Sequence, residues 1–210
     1  MLIGGYLPTS FSDFPGRIAA VIFTQGCNFR CPYCHNPELL PQDSSEQWCP
    51  QTILQTVAQR KGQLEGVVVS GGEPTLHNDL PQFLQELRRI GLPVKLDTNG
   101  SHPAIVQQIL AHKLVDYIAM DIKAPWAKYP LLAGVTVDTH ALQESVAHIA
   151  TSGISCQFRT TIPRGLLDEV DLRAIDANLP HGHTTRRQTC TPQYRKKVNI
   201  ETLSLVSLQV

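Results

Sequence analysis

The chain has 210 residues, enough for one domain with a sizeable core. Hydrophobic residues make up 42 % of it, which excludes a disordered chain. Lys and Arg, 18 in all, balance 18 Asp and Glu, which argues against a nucleic-acid binder, and no run approaches the roughly 18 consecutive apolar residues of a membrane span.

In chain order, short apolar runs alternate with segments of helical period. Residues 17–24 read as a buried strand. Residues 51–61 carry Ile53, Leu54, Val57 and Ala58 at helical spacing, begin after Pro50 and stop at Gly62. Residues 66–70, with Val67-Val68-Val69, form a strand. Residues 79–90 place Leu80, Phe83, Leu84 and Leu87 on one helical face, and Gly91 supplies the stop. A strand at 93–97 precedes a helix at 103–112. A strand at 116–121 precedes a helix at 138–151, closed near Gly153. The pattern ends with a strand at 155–161 and a short helix at 168–177.

Strand–helix repetition predicts parallel strands joined by right-handed crossovers. Five such units are visible, and a full eight-unit barrel needs about 250 residues. The expected fold class is therefore α/β, an incomplete, open barrel of parallel strands over residues 1–180. Residues 181–210 are set apart as an atypical tail. Its stretch 181–197 is basic, with Arg186, Arg187, Arg195, Lys196 and Lys197 and no acidic residue. Residues 201–210 then alternate like a final edge strand. A basic patch that touches a partner is the alternative reading of this tail.

The most informative stretch is Cys27-Asn28-Phe29-Arg30-Cys31-Pro32-Tyr33-Cys34, which puts three thiols into one loop directly after the first strand. Four readings compete for it. Cys31-Pro32-Tyr33-Cys34 alone is a dithiol redox pair, and with His35 it matches a c-type haem attachment site. Cys27, Cys31, Cys34 and His35 together make a strained zinc set. Three cysteines on a four-iron cluster would leave one iron open for a substrate. Haem attachment needs export, and Met1-Leu2-Ile3-Gly4-Gly5-Tyr6-Leu7-Pro8 lacks the basic region and long apolar stretch of an export signal. The redox and haem readings also leave Cys27 unused, so the cluster is favoured and zinc remains the alternative. Cys49, Cys156 and Cys190 are scattered and read as free thiols in a reducing cytoplasm.

Each predicted strand ends in polar chemistry. The second runs into Ser70-Gly71-Gly72-Glu73-Pro74, the third into Asp97-Thr98-Asn99-Gly100, and the fourth into Asp121-Ile122-Lys123. The fifth contains Arg159-Thr160-Thr161. Taken singly, these are a tight turn, a solvated loop and ordinary surface ion pairs. In a parallel barrel, however, all the carboxyl ends share one face, where active sites are built. On that face glycines let a ligand approach the backbone, and the Glu73 carboxylate is a candidate acceptor for an amino group. Lys123 and Arg159 suit a carboxylate ligand. His35 is placed to cover the cluster or touch substrate. The other histidines have no ligand-like spacing.

With these residues in place, the chain resembles the radical SAM superfamily. The C-x3-C-x2-C pattern is that superfamily's signature, with the usual aromatic, Tyr33, before the third cysteine. Gly71-Gly72-Glu73-Pro74 resembles its second motif. Phe14-Pro15-Gly16-Arg17, Phe23-Thr24-Gln25-Gly26-Cys27, Tyr33-Cys34-His35-Asn36, Asp97-Thr98-Asn99-Gly100 and Met120-Asp121-Ile122-Lys123 are similar to the glycyl radical enzyme activating enzymes. Within these the likeness is nearest to the anaerobic ribonucleoside-triphosphate reductase activating proteins, then to the pyruvate formate-lyase activators.

The resemblance implies an open (β/α)6-type barrel in which Cys27, Cys31 and Cys34 hold a [4Fe-4S] cluster. It implies S-adenosylmethionine bound near Tyr33, Gly71, Gly72, Glu73, Asp97, Thr98, Asp121, Lys123 and Arg159. It further implies a glycyl radical enzyme as partner and a flavodoxin- or ferredoxin-type electron donor, with no nucleic acid and no membrane. A radical reaction on a small molecule and a zinc or dithiol module are the remaining alternatives. The resemblance departs in two places. Cys49 stands alone where activators with extra clusters carry a cysteine-rich insert, which implies one cluster. The sequence after His181 does not look like the family's ending, where a last strand helps close the site.

Overall fold

The computed structural model describes residues 1–43 and 48–190. Its elements, in chain order, are β1 (Ile3–Ser10), β2 (Ala19–Thr24), α1 (Pro50–Gln59), β3 (Gly66–Gly71), α2 (Leu80–Ile90), β4 (Val94–Thr98), α3 (Pro103–Ala111), β5 (Tyr117–Asp121), α4 (Tyr129–Ala133), α5 (Thr139–Thr151), β6 (Ser155–Ile162), α6 (Glu169–Ala177) and β7 (Thr185–Thr189). The seven strands form one sheet in sequence order. β2 to β7 run parallel, and β1 pairs antiparallel with β2. The sheet is open, as the α/β reading expects.

Two strands lie outside the expected set. β1 contains the pair Gly4-Gly5 and Pro8, which blur its period, and a proline is tolerated only on an edge strand. Its connection to β2 is too short for a helical crossover, so the pairing is antiparallel. β7 is Thr-Arg-Arg-Gln-Thr, with only Thr185 buried, so no apolar run announces it. It joins β6 in parallel, and the sheet therefore runs past residue 180 into the segment set apart as a tail. The strand expected at 201–210 lies outside the described residues.

The two faces of the sheet have different tasks. Alternate residues Ala20, Ile22, Val67, Val69, Val94, Leu96, Ile118, Met120 and Phe158 pack under the helices in the main core. On the concave face Ala19, Val21 and Val68 form a smaller cluster with Phe14, flanked by Phe23 and Tyr117. Strands buried on both faces read as unbroken apolar runs, which explains Val67-Val68-Val69. Helix ends are well defined. Gly91 closes α2 in the left-handed conformation. Asp168 and Asp171 form a capping box at the start of α6.

Because five crossovers carry the chain back to the same side, the carboxyl ends of β2 to β7 share one rim. Ile118, fully buried on the helix side, tests this partition. Ile118→Ala should cost about 2–5 kcal/mol in urea unfolding, whereas Val170→Ser on exposed α6 surface should stay within about 0.5 kcal/mol. Equal losses would contradict the assignment of the core to that side.

Candidate active site

The rim encloses a cavity of about 420 Å³. Every residue that the sequence singled out lines it: Cys27, Cys31, Cys34, Tyr33, Gly71, Gly72, Glu73, Asp97, Thr98, Asp121, Lys123 and Arg159. His35 and Asn36 line it as well.

The thiol loop is tied down by backbone bonds. The Gly26 amide donates to the Leu39 carbonyl (2.8 Å) and the Cys27 amide to the Leu40 carbonyl (3.2 Å). The Gln25 side-chain amide donates to the Glu38 (3.1 Å) and Pro41 (2.7 Å) carbonyls. At the far side the Arg30 amide donates to the Ala133 carbonyl (2.7 Å). Gly134, left-handed at φ 69°, sits where a Cβ would lie 2.2 Å from the Arg30 carbonyl oxygen. Within the loop the Phe29 amide donates to Cys27 Sγ (3.4 Å) and the Cys34 amide to the Cys31 carbonyl (3.0 Å).

Cys27, Cys31, Cys34, Cys49 and Cys156 are free thiols. Burial pushes the Cys27 thiol up to about 12 and raises Cys31 and Cys34 as well. Burial also lowers His35, which favours a neutral imidazole. Among the described residues no three His, Cys, Asp or Glu side chains are placed to hold a single metal ion. Three soft donors around one cavity therefore fit a cluster wider than one ion better than they fit zinc. The hydroxyl of Tyr33 is buried, and it has no hydrogen-bond partner among the described residues. A polar group orphaned beside a cavity is suited to a bound ligand.

The glycine turn has a basis in packing besides the expected one. Gly71 has φ 126°, and a Cβ there would lie 2.2 Å from the Thr24 amide nitrogen. A Cβ on Gly72 would lie 2.1 Å from the Gly26 carbonyl oxygen. The Gly72 amide donates to the Thr24 carbonyl (3.0 Å) and the Glu73 amide to the Gly26 carbonyl (2.8 Å). Both glycines are thus required by the packing of this turn on the thiol loop, whatever ligand approaches them.

Glu73 is fully enclosed, and its carboxylate joins three segments. Oε1 accepts from the Thr75 amide (3.0 Å), the Thr75 hydroxyl and the Thr98 hydroxyl (2.7 Å). Oε2 accepts from the Asn99 amide (2.6 Å), which leaves it the less committed oxygen. Burial raises the Glu73 carboxyl's pKa against these bonds. Asn28 of the thiol loop continues the connection, accepting from the Asn99 side chain (2.9 Å) and donating to the Ser101 hydroxyl (2.9 Å).

Charges form a row across the concave face. Arg159 Nε meets Asp121 Oδ1 at 2.8 Å, and its Nη1 meets Asp97 Oδ2 at 3.3 Å. Lys123 Nζ meets Asp121 Oδ2 at 3.0 Å, and Lys95 pairs with Asp97. Burial opposes the charge on Asp121, but Arg159 and Lys123 beside it hold its carboxyl well below the usual range. Burial likewise opposes the charge on Lys123, yet Asp121 keeps it protonated. Of this row Lys123, Arg159, Asp97 and Asp121 line the cavity, so two cations face it, each already paired with a carboxylate.

Several lining residues were not anticipated. Gln188 and Thr189 come from the unheralded β7, and Asp13 from the turn after β1. Lys95, outside the cavity lining but paired with Asp97, had a signal: it stands two residues before Asp97, and in a strand that spacing puts both on one face.

The Radical SAM superfamily pattern matches residues 21–174. A protein of Methanocaldococcus jannaschii, whose provisional name is glycyl-radical enzyme activating enzyme, is 31 % identical over 179 residues, 83 % of this chain and 73 % of its own length. The pyruvate formate-lyase-activating enzyme of Clostridium pasteurianum is 33 % identical over 119 residues, 53 % of this chain and 48 % of its own. The chain thus spans about three-quarters of the first relative and about half of the second. The crystal structure of Streptococcus suis SuiB bound to S-adenosylmethionine gives a TM-score of 0.65 at 14 % identity, over 89 % of this chain and 46 % of that one. At that identity the likeness is one of fold.

Gly72→Ala provides a test of the loop packing. The added methyl should displace Gly26 and with it Cys27, lowering both iron bound per chain after anaerobic reconstitution and the unfolding midpoint. Arg159→Ala should leave iron loading near the parent's. Normal iron and normal stability in Gly72→Ala would show that the turn does not bear on the thiol loop.

Proposed function

The chain belongs to the radical SAM superfamily, and from that premise we propose that it is an activating enzyme for a glycyl radical enzyme, with an anaerobic ribonucleoside-triphosphate reductase as partner. The observation that carries this reading is the meeting of three thiols and two cations, Lys123 and Arg159, in a single cavity. Cys27, Cys31 and Cys34 would hold the family's [4Fe-4S] cluster, which when bound supplies the electron that cleaves S-adenosylmethionine and leads to hydrogen abstraction from glycine.

The chain's own residues would bind, orient and exclude. Lys123 and Arg159, held in place by Asp121 and Asp97, would hold the carboxylate of S-adenosylmethionine. The Gly71-Gly72-Glu73 turn fixes the thiol loop against the end of β4, so that the cofactor's two attachment regions keep one spacing. Tyr33 offers an unused hydroxyl. Enclosure by Phe29, Tyr33 and Leu40 would keep water from a reactive species.

The motif set quoted above supports the reductase as partner, and the lone Cys49 supports a single cluster fed by a flavodoxin- or ferredoxin-type donor. The pyruvate formate-lyase-activating relative supports the second reading, in which that lyase is the target. Among the described residues no helix is long and apolar enough to cross a membrane. The free cysteines suit a reducing cytoplasm.

Three measurements test the proposal. Replacing Cys27, Cys31 or Cys34 by Ala should each abolish iron retention, while replacing Cys49, Cys156 or Cys190 should not; iron that survives loss of Cys31 but not of Cys156 reverses the ligand assignment. Lys123→Ala should weaken S-adenosylmethionine binding about 10- to 100-fold by equilibrium dialysis, the loss of one charge-assisted contact. Unchanged affinity would make Lys123 merely structural. Anaerobic incubation with reductant, S-adenosylmethionine and an anaerobic ribonucleotide reductase should give a glycyl doublet in electron paramagnetic resonance, altered when that glycine carries deuterium at Cα. A doublet only with pyruvate formate-lyase would select the second reading.

A further inference from the structure

The inward-facing residues of this half-barrel are unevenly distributed. On the β2–β3 side they are apolar, with Val21, Phe23 and Val68. On the β6–β7 side the register pairs Arg159 with Arg186 and Thr161 with Gln188. Arg159, Thr161 and Gln188 line the cavity, so Arg186, two residues before Gln188 on its strand, projects from the same face. A second observation agrees. Burial raises the Tyr117 hydroxyl's pKa, and Arg159 and Arg186 both act against that rise, which places Arg186 within electrostatic reach of the concave face.

Arg159 is paired with Asp97 and Asp121 and belongs to the cofactor side of the cavity. Arg187, on the opposite face, meets Asp176 and Glu169. Arg186 is exposed and makes no ion pair or hydrogen bond among the described residues. Barrel interiors that pack on themselves are filled by branched apolar side chains. A wall of Arg, Gln and Thr contributes nothing to such packing, but it matches a polypeptide backbone and its charged side chains. Neighbouring strands are about 4.8 Å apart and an extended chain advances about 3.3 Å per residue. A carboxylate held by Arg186 would therefore lie about one to three residues from a backbone atom held over the cavity.

We propose that the concave face of β6 and β7 reads the guest polypeptide, and that Arg186 is a specificity residue that pairs with an acidic side chain close to the reacting glycine. This rests on the activating-enzyme reading above and adds the chemistry of the guest segment. The pair would form at a partly exposed site, so its effect is modest and falls with ionic strength.

The test uses the anaerobically reconstituted enzyme with S-adenosylmethionine and two synthetic peptides. Both have blocked ends and one central glycine; one carries Glu two residues from it, the other Gln. The Glu peptide should bind about five-fold more tightly, with the preference shrinking as salt is added. Arg186→Gln should abolish the preference, and Arg187→Gln, one residue away on the other face, should keep it. Equal affinity in the parent enzyme, no binding of either peptide, or a preference that survives Arg186→Gln overturns the proposal. Transfer of deuterium from a Cα-deuterated glycine into 5′-deoxyadenosine tests the activating-enzyme reading separately. Preference without transfer would sink that reading and keep Arg186, and transfer without preference would do the reverse.

Discussion

The site depends on one buried carboxylate. Glu73 lies between the end of β3, the end of β4 and the loop that carries the thiols, and it accepts bonds from Thr75, Thr98 and Asn99. A carboxylate stripped of water is costly unless its lone pairs are taken up. Here no cation among the described residues supplies the compensation; hydroxyl and amide donors do. That matters because the same donors then have fixed positions. The turn after β3 cannot move without dragging the turn after β4, and Asn28 extends the linkage into the thiol loop. The glycines complete the arrangement from below, since only a residue without Cβ lets the Gly26 carbonyl come so close.

The charged row follows a different logic. Asp97 and Asp121 would each be expensive alone at their depth, as would Arg159 and Lys123. Their alternation along the face makes each ion partner to its neighbours. Lys95, buried and outside the cavity lining, pairs with Asp97 at the lower end of the row. The protein thus keeps Lys123 and Arg159 oriented at the cavity while exposing little unpaired charge. A rigid, partly neutralised site discriminates by geometry as well as by charge, since an anion must reach between pairs that already exist.

Much of this was legible in the sequence, and the reasons differ by element. The strands at Val67-Val68-Val69 and around Ile118 announce themselves because they are buried on both faces. The helices at Ile53 and Leu84 announce themselves by period. The site residues were legible because chemistry concentrates at strand ends in a parallel fold, so Cys27, Glu73, Asp97, Asp121 and Arg159 could be read as one group. What could not be read was the use each residue makes of its neighbours. Gly72, read as an opening for a ligand, is also a packing requirement of the thiol loop. β1 and β7 were missed because edge strands need no apolar run: Gly4-Gly5 and Pro8 erase the period in one, and Arg186, Arg187 and Gln188 replace it in the other.

Those two unheralded strands also explain why the sheet stays open. Closing a barrel requires its first and last strands to pair and its inner face to be filled. β1 runs against the direction of its neighbour, carries Pro8 where a ladder donor would be needed, and has Arg60 bonded to Thr9 along its flank. β7 brings polar residues to the inner face, where closure would strip them of water with no partners to take its place. Both edges therefore resist closure for reasons written in their own residues. Among the described residues the gap between them leaves the concave face accessible beside the thiol loop, and an opening of that kind admits a segment of another polypeptide more readily than a closed barrel would.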